Sequence, residues 1–139
     1  MNRALVLAEW RRAKQSLRAA EVLVTEGFYE DAVSRAYYAI LHAAKTALQV
    51  HNVTAESHTA VRRLFGLHLI RTGALEHDWS GYLAESFDDR LAADYDAEAF
   101  FSREEAELEC HRSREFLARI NQYLTINGFS EQELNDPAG

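Results

Sequence analysis

One segment of this chain places several chemically active side chains at helical spacing. Its polar residues fall in one sector about 80° wide when each residue is given the roughly 100° turn of an α-helix: Asp31, Arg35, Tyr38, His42, Lys45 and Gln49. The other faces are mostly alanine and leucine, so this polar stripe lies on a helix that is otherwise buried. Arg, Tyr and His are costly to bury unpaired, so the stripe should meet water, a ligand or a partner chain.

Arg35 and His42 are candidates for phosphate chemistry. They lie two helical turns apart, about 10.5 Å along the axis, and an arginine side chain can close most of that distance. A guanidinium stabilises charge that develops on a phosphoryl group, and an imidazole moves a proton near neutral pH. The sequence therefore predicts Arg35 and His42 as catalytic residues. The alternative is structural: Arg35 pairs with Asp31 one turn earlier, and His42 is a half-buried side chain whose partner lies within the fold.

A second cluster, Arg90, Asp94 and Tyr95, lies at the end of a later helical segment. An arginine, an acid and a tyrosine at a helix end can bind a phosphate or a base, so we predict that these residues, with Tyr38, bind RNA or nucleotide. Arg90 and Asp94 can equally form an ordinary ion pair between positions i and i+4. His58 begins another helix, where it is either a phosphate contact near the helix N-terminus or an exposed loop residue.

Other kinds of site are not indicated by the sequence. It has no glycine-rich phosphate loop, and its six His and one Cys show no metal-ligand spacing. No Ser or Cys lies in a recognisable nucleophile motif. We therefore predict neither a metal site nor a cofactor.

Composition limits the class of protein. A length of 139 residues suits one domain, and six Gly with one Pro favour long helices over a turn-rich β fold. The net charge of −7 argues against a nucleic-acid binder driven by overall charge, although Arg62 and Arg63 form a local basic patch. The lone Cys110 excludes an internal disulfide and suits a reducing cytoplasm. The sequence has neither the pattern of a signal peptide nor an apolar run long enough to span a membrane.

Hydrophobic spacing predicts an all-α fold, an antiparallel bundle of five helices. Their predicted ranges are 3–25, 29–50, 58–72, 80–93 and 103–125. Gly27 and Gly73 are placed to end the first and third helices, and Ser102 with Glu105 forms a capping box at the start of the fifth. We predict one domain over residues 1–126 and a flexible, frayed tail over residues 127–139.

The segment from Phe28 to Ala44 resembles the second helix of HEPN domains (higher eukaryotes and prokaryotes nucleotide-binding), in particular their small stand-alone prokaryotic branch. It reads Phe-Tyr-Glu-Asp-Ala-Val-Ser-Arg-Ala-Tyr-Tyr-Ala-Ile-Leu-His-Ala-Ala. His58 before an apolar helix, the segment Arg90-Leu-Ala-Ala-Asp94-Tyr95, and a last helix with Ala118 and Ile120 follow in the same order. The resemblance spans about residues 5–124.

The resemblance implies a helical bundle that commonly dimerises and is often paired with a small nucleotidyltransferase as a toxin–antitoxin system. Many members are metal-independent ribonucleases that use an Arg and a His a few residues apart, a spacing that Arg35 and His42 fit. In related toxins this motif lies on a later helix and ends His-x-Tyr. The corresponding segment here has Asp94 before Tyr95 and no His.

Two functions therefore remain open at the level of sequence. The first is an RNA-directed toxin that cuts or blocks RNA. The second is a non-catalytic module that binds RNA, nucleotide or a nucleotidyltransferase partner. In both cases we predict a homodimer, because a twofold axis would bring the polar stripes of two copies together. We also predict that the protein is cytoplasmic.

Overall fold

The computed structural model describes residues 1–136, and over that range every regular element is helical. In chain order the helices are α1 (Arg3–Thr25), α2 (Tyr29–Val50), α3 (His58–Phe65), α4 (Asp78–Tyr95), α5 (Arg103–Ile126) and α6 (Glu131–Asn135). A π-helical turn, Gly66–Ile70, directly continues α3. The predicted all-α class is therefore confirmed. None of these helices combines the length and the apolar character needed to cross a bilayer.

Two of the predicted helix boundaries, the end of α1 and the start of α5, have the residues and geometry expected from the sequence. Gly27 follows α1 with a φ of +84°, a conformation that favours glycine. Ser102 and Glu105 cap each other's backbone at the start of α5. The third predicted helix differs, because its last part winds as the π-helical turn. The fourth is longer than predicted: it begins at Asp78 and includes Tyr95, which the sequence placed in a bend.

Helix α2 lies at the centre of the bundle and packs against α1, α4 and α5. Its buried alanines allow the neighbouring helices to approach closely: Ala32, Ala36, Ala39, Ala43, Ala44 and Ala47. The approach of α5 is close enough for the Ser113 hydroxyl to donate to the Ala36 carbonyl oxygen at 2.8 Å. The central helix therefore holds its polar side chains in fixed positions relative to three neighbours.

Helix α6 packs against the start of the chain, where the sequence predicted only a frayed tail. Leu134 and Phe129 are buried. Trp10 donates its indole N–H to the Leu134 carbonyl at 3.2 Å, and Arg3 pairs with Glu133 at 2.7 Å. Isolated apolar residues in a polar stretch give no helical period, so this packing was not visible in the pattern. Residues 137–139, the end of the predicted tail, lie outside the described part of the chain.

Candidate functional site

Polar and aromatic side chains from three helices meet beside the middle of α2. We call them the tyrosine–arginine cluster: Tyr37 and Tyr38 of α2, His58 of α3, and Arg90, Asp94 and Tyr95 of α4. Arg35 lies at the rim of this cluster, over the ring of Tyr38. The structure thus brings together every predicted site residue except His42.

Arg90 is the buried centre of the cluster, with only 8% of its surface exposed. Its guanidinium carbon lies 5.9, 5.5 and 5.4 Å from the ring centres of Tyr37, Tyr38 and Tyr95. Its Nη2 donates to the Tyr38 hydroxyl at 2.8 Å, and its Nε lies 3.0 Å from Asp94 Oδ2, an ion pair without hydrogen-bond alignment. Burial opposes this charge, but the Tyr38 bond and the nearby acidic groups outweigh it, so the pKa of Arg90 is raised.

His58 is held inside the cluster by a fully buried tyrosine. The Tyr37 hydroxyl and His58 Nδ1 lie 2.6 Å apart, within hydrogen-bond distance. Burial chiefly, and then the positive charges of Arg90 and Lys45, lower the pKa of His58. Burial also raises the pKa of Tyr37, which keeps its hydroxyl protonated. His58 is therefore a neutral imidazole at pH 7, and the interpretation of His58 as an exposed loop residue is wrong.

Arg35 carries an exposed charge at the rim of the cluster. Its guanidinium carbon lies 4.6 Å from the ring centre of Tyr38, a cation–π contact. Within residues 1–136 it has no carboxylate partner, so the ion pair with Asp31 that the sequence allowed does not form. An anion that approached the cluster would therefore meet Arg35 first.

His42 faces α1 instead of the cluster. Its Nδ1 lies 2.8 Å from Glu9 Oε2, and Lys45 Nζ lies 3.3 Å from Glu9 Oε1. Burial raises the pKa of Glu9, but the bonds and charges of these two partners outweigh it and lower the pKa overall. This is the structural alternative for His42: a half-buried side chain with a partner inside the fold. The polar stripe of α2 is thus divided between two neighbours, α1 and α4.

Sequence reasoning missed two members of the site. Tyr37 was not predicted as a site residue, yet its hydroxyl lies 2.6 Å from His58 Nδ1. Phe87 of α4 forms one wall, with its ring centre 5.7 Å from that of Tyr37 and 5.4 Å from that of His58. The adjacent tyrosines were visible in the sequence, but only the position of α3 shows which of them faces a histidine.

The cluster combines groups that recognise a phosphate with groups that recognise a base. Arg35 and Arg90 supply positive charge, His58 can accept a proton, and the ring of Tyr95 is 73% exposed. Within residues 1–136, no group of three or more His, Cys, Asp or Glu side chains is placed to hold a metal ion.

Known proteins are similar to this chain over most of its length. The HEPN domain family model matches residues 7–123. A protein of Methanocaldococcus jannaschii named "Putative toxin MJ0142" is 34% identical over 81% of this chain and 77% of its own length. A second protein of that organism, "Putative toxin MJ0605", is 36% identical over 81% of this chain and 83% of its own length. The UPF0332 protein glr0978 of Gloeobacter violaceus is 32% identical over 81% of this chain and 90% of its own length.

The family model covers most of the chain, and two of these relatives exceed one third identity over most of their length. The central helix with its paired tyrosines, the His at the start of α3 and the Arg–Asp–Tyr end of α4 all lie within the matched residues. The chain belongs to the HEPN domain family.

Proposed function

We propose that this protein is the toxin of a toxin–antitoxin pair and acts on RNA at the tyrosine–arginine cluster, where it binds phosphate and base and cleaves without a metal. The observation that carries this proposal is the convergence of two arginines, a neutral histidine and an exposed tyrosine from three helices. Two relatives with toxin in their names support the biological setting.

In this proposal each side chain has one role. Arg35 and Arg90 hold the phosphate that is attacked and stabilise the charge that develops on it. His58 takes the proton of the ribose 2′-hydroxyl as that oxygen attacks the phosphorus. The bond from phosphorus to the 5′-oxygen of the next nucleotide breaks, that oxygen takes a proton from water, and a 2′,3′-cyclic phosphate is left. When His58 donates Nδ1–H to the Tyr37 oxygen, its Nε2 is left with a free lone pair for that proton. Tyr95 stacks on a base.

Replacing Arg35 by alanine should weaken RNA binding by about 1–3 kcal/mol, the usual value of a hydrogen bond to a charged group. The variant should keep most of its thermal stability, because Arg35 is exposed and a cation–π contact such as that with Tyr38 contributes only about 0.5–1 kcal/mol at an exposed site. A binding titration with a labelled oligoribonucleotide and calorimetry on the same sample measure both quantities.

Arg12→Ala is the matched control for Arg35→Ala, because it removes one exposed arginine from α1, away from the cluster. It should bind RNA nearly as well as the wild type. If Arg35→Ala instead loses stability and keeps its affinity per folded molecule, Arg35 has a structural role and the site proposal fails.

A second function is favoured by one feature of the cluster. Asp94 forms an ion pair with Arg90 and offsets part of its charge, which weakens the binding of a scissile phosphate by Arg90. The exposed ring of Tyr95 can still stack on a base. The alternative is therefore a non-catalytic module that binds RNA, a nucleotide or a nucleotidyltransferase antitoxin through the same surface. RNA binding without cleavage would favour this alternative.

We further propose that the protein is a cytoplasmic homodimer. Tyr95 and Phe100 are 73% and 78% exposed, an unusual exposure for large aromatic side chains. We expect light scattering at tens of micromolar to report twice the chain mass of 15.8 kDa. A mass of one chain at that concentration would contradict the dimer and leave the cluster to act in the monomer.

A further inference from the structure

A second positively charged surface lies outside the tyrosine–arginine cluster, in a groove between α3 and α4. The groove encloses about 910 Å³. Its floor includes Leu83, and its walls carry Arg62 and Arg63 of α3 and Arg112 of α5. That volume is in the range of a drug-sized ligand, roughly 300–1,000 Å³, and far exceeds a single phosphate group. We call this surface the α3–α4 groove.

The arginines of the groove differ in their partners. Arg112 already forms ion pairs: its Nη1 lies 3.2 Å from Glu109 Oε1 and 3.6 Å from Glu85 Oε2. Arg62 and Arg63 are exposed, and neither has a carboxylate partner within residues 1–136. Two adjacent exposed cations on one wall of the groove can attract an anion although the chain as a whole carries a net charge of −7. Phosphate oxygens are the groups that such a pair would bind.

Acidic side chains also line the groove and restrict where an anion can lie. Asp78 is in the first turn of α4, and Glu85 lies about two turns further along the same face. Both are on the α4 side, whereas Arg62 and Arg63 are on the α3 side. A negatively charged strand would therefore run along the α3 wall.

Arg62 connects the groove to the tyrosine–arginine cluster. Its guanidinium carbon lies 5.7 Å from the ring centre of Phe87, and Phe87 is the wall that contacts Tyr37 and His58. The positive charge of Arg62 also acts on the Tyr37 hydroxyl. A polynucleotide bound at the cluster can therefore continue into the groove past Phe87 and Arg62.

We propose that the α3–α4 groove binds the phosphodiester backbone of a single strand whose reacting nucleotide lies at the tyrosine–arginine cluster. This inference rests on the proposed function of that cluster. It adds a length requirement: a polynucleotide reaches both surfaces, and a dinucleotide reaches only the cluster. Arg63 contacts phosphate in the groove alone, whereas Arg62 lies between the two surfaces.

The test compares two uridine probes with 2′-O-methyl groups, a decamer and a dinucleotide, which cannot be cleaved through the 2′-oxygen. Arg63→Ala should weaken binding of the decamer about three- to tenfold and leave the dinucleotide unchanged. The slope of log affinity against log salt for the decamer should fall by about 0.7, as expected when one phosphate contact to a single strand is lost. Arg12→Ala again serves as the control of equal charge, and melting curves check that each variant is folded.

The outcomes separate the two proposals. If Arg63→Ala binds the decamer like Arg12→Ala while Arg35→Ala still weakens both probes, the groove proposal is overturned and the function of the cluster stands. If Arg63→Ala weakens both probes equally, the groove is not a separate surface, and the length requirement is wrong. A wild-type protein that binds neither probe would overturn both proposals.

Discussion

Replacing His58 by asparagine should reduce metal-free RNA cleavage by about 100-fold or more, the usual contribution of a positioned acid or base. The asparagine amide can keep a hydrogen bond to the Tyr37 hydroxyl, so the buried partner is not left unpaired. It cannot accept a proton. The loss should therefore appear in the cleavage rate in the presence of a chelator, and not in the melting temperature.

The matched variant is His42→Asn, which tests the histidine that the sequence predicted as catalytic. It should leave both the cleavage rate and the stability close to wild type, because the asparagine amide can donate to Glu9 from the position of His42 Nδ1. The reverse result, with cleavage lost in His42→Asn and kept in His58→Asn, would restore Arg35 and His42 as the catalytic pair. Cleavage that survives in both variants would contradict a histidine mechanism.

The pH dependence gives a second check on His58. A base acts only when it is deprotonated, and the pKa of His58 lies below its ordinary 6.5 because of burial and nearby positive charge. The wild-type cleavage rate should therefore be constant near pH 7 and fall only below that ordinary value. A rate that falls already above pH 7 as the solution is acidified would point to a different group.

Replacing Glu109 by glutamine should stabilise the protein at neutral pH, by about 1–3 kcal/mol. Glu109 lies in α5 with 4% of its surface exposed, and its Oε2 is buried without a hydrogen-bond donor. Burial and the facing Asp89 carboxylate raise its pKa far more than Arg112 lowers it. The glutamine variant has no charge to bury, and its side-chain oxygen can still accept from Arg112.

The direction of this pH dependence follows from the raised pKa of Glu109. Because the pKa of Glu109 is higher in the folded state than its usual 4.5, the proton it binds favours folding below that value. This contribution is lost as the pH rises through the raised pKa. The gain in free energy of unfolding for Glu109→Gln should therefore be small at pH 4 and grow up to about pH 8. Denaturant titrations at several pH values measure it.

Glu104→Gln is the control for Glu109→Gln, since it removes the same charge from an exposed position of the same helix. Its stability should follow that of the wild type at every pH. A constant difference between Glu109→Gln and the wild type from pH 4 to pH 9 would show that Glu109 has the same pKa in the folded and unfolded states, with Arg112 offsetting its burial.

Local signals explain why most of the fold was predictable from the sequence. The ranges of α1 and α2 agree with the prediction, because a long apolar period marks both helices and Gly27 follows the end of α1. The end of α3 was not predicted, since Gly66–Ile70 remains helical and only its backbone hydrogen-bond spacing changes. Helix α6 was missed although Ser130 and Glu133 form a capping box at its start, because its five residues show no apolar period and its partners Trp10 and Arg3 are more than a hundred residues away.

The candidate site was predictable in its residue types and less so in its grouping. A helical wheel gives the direction of Arg35, Tyr38 and His42 from the α2 axis, but it does not say which helix covers each of them. The structure places Glu9 of α1 over His42 and Arg90 of α4 over Tyr38. The contact of Tyr37 with His58 could not be predicted for a related reason, because it depends on where α3 begins.

The contact between α6 and α1 has a consequence for the order in which the chain folds. Arg3 and Glu133 are separated by 130 positions, so this contact closes a loop that includes almost the entire described chain. The entropy lost on closing so long a loop is regained only when the intervening helices have already assembled. We therefore expect α6 to dock last and to detach first, while α2 and its neighbours stay formed. The cluster on α2, α3 and α4 would then remain intact in a molecule whose α6 has detached.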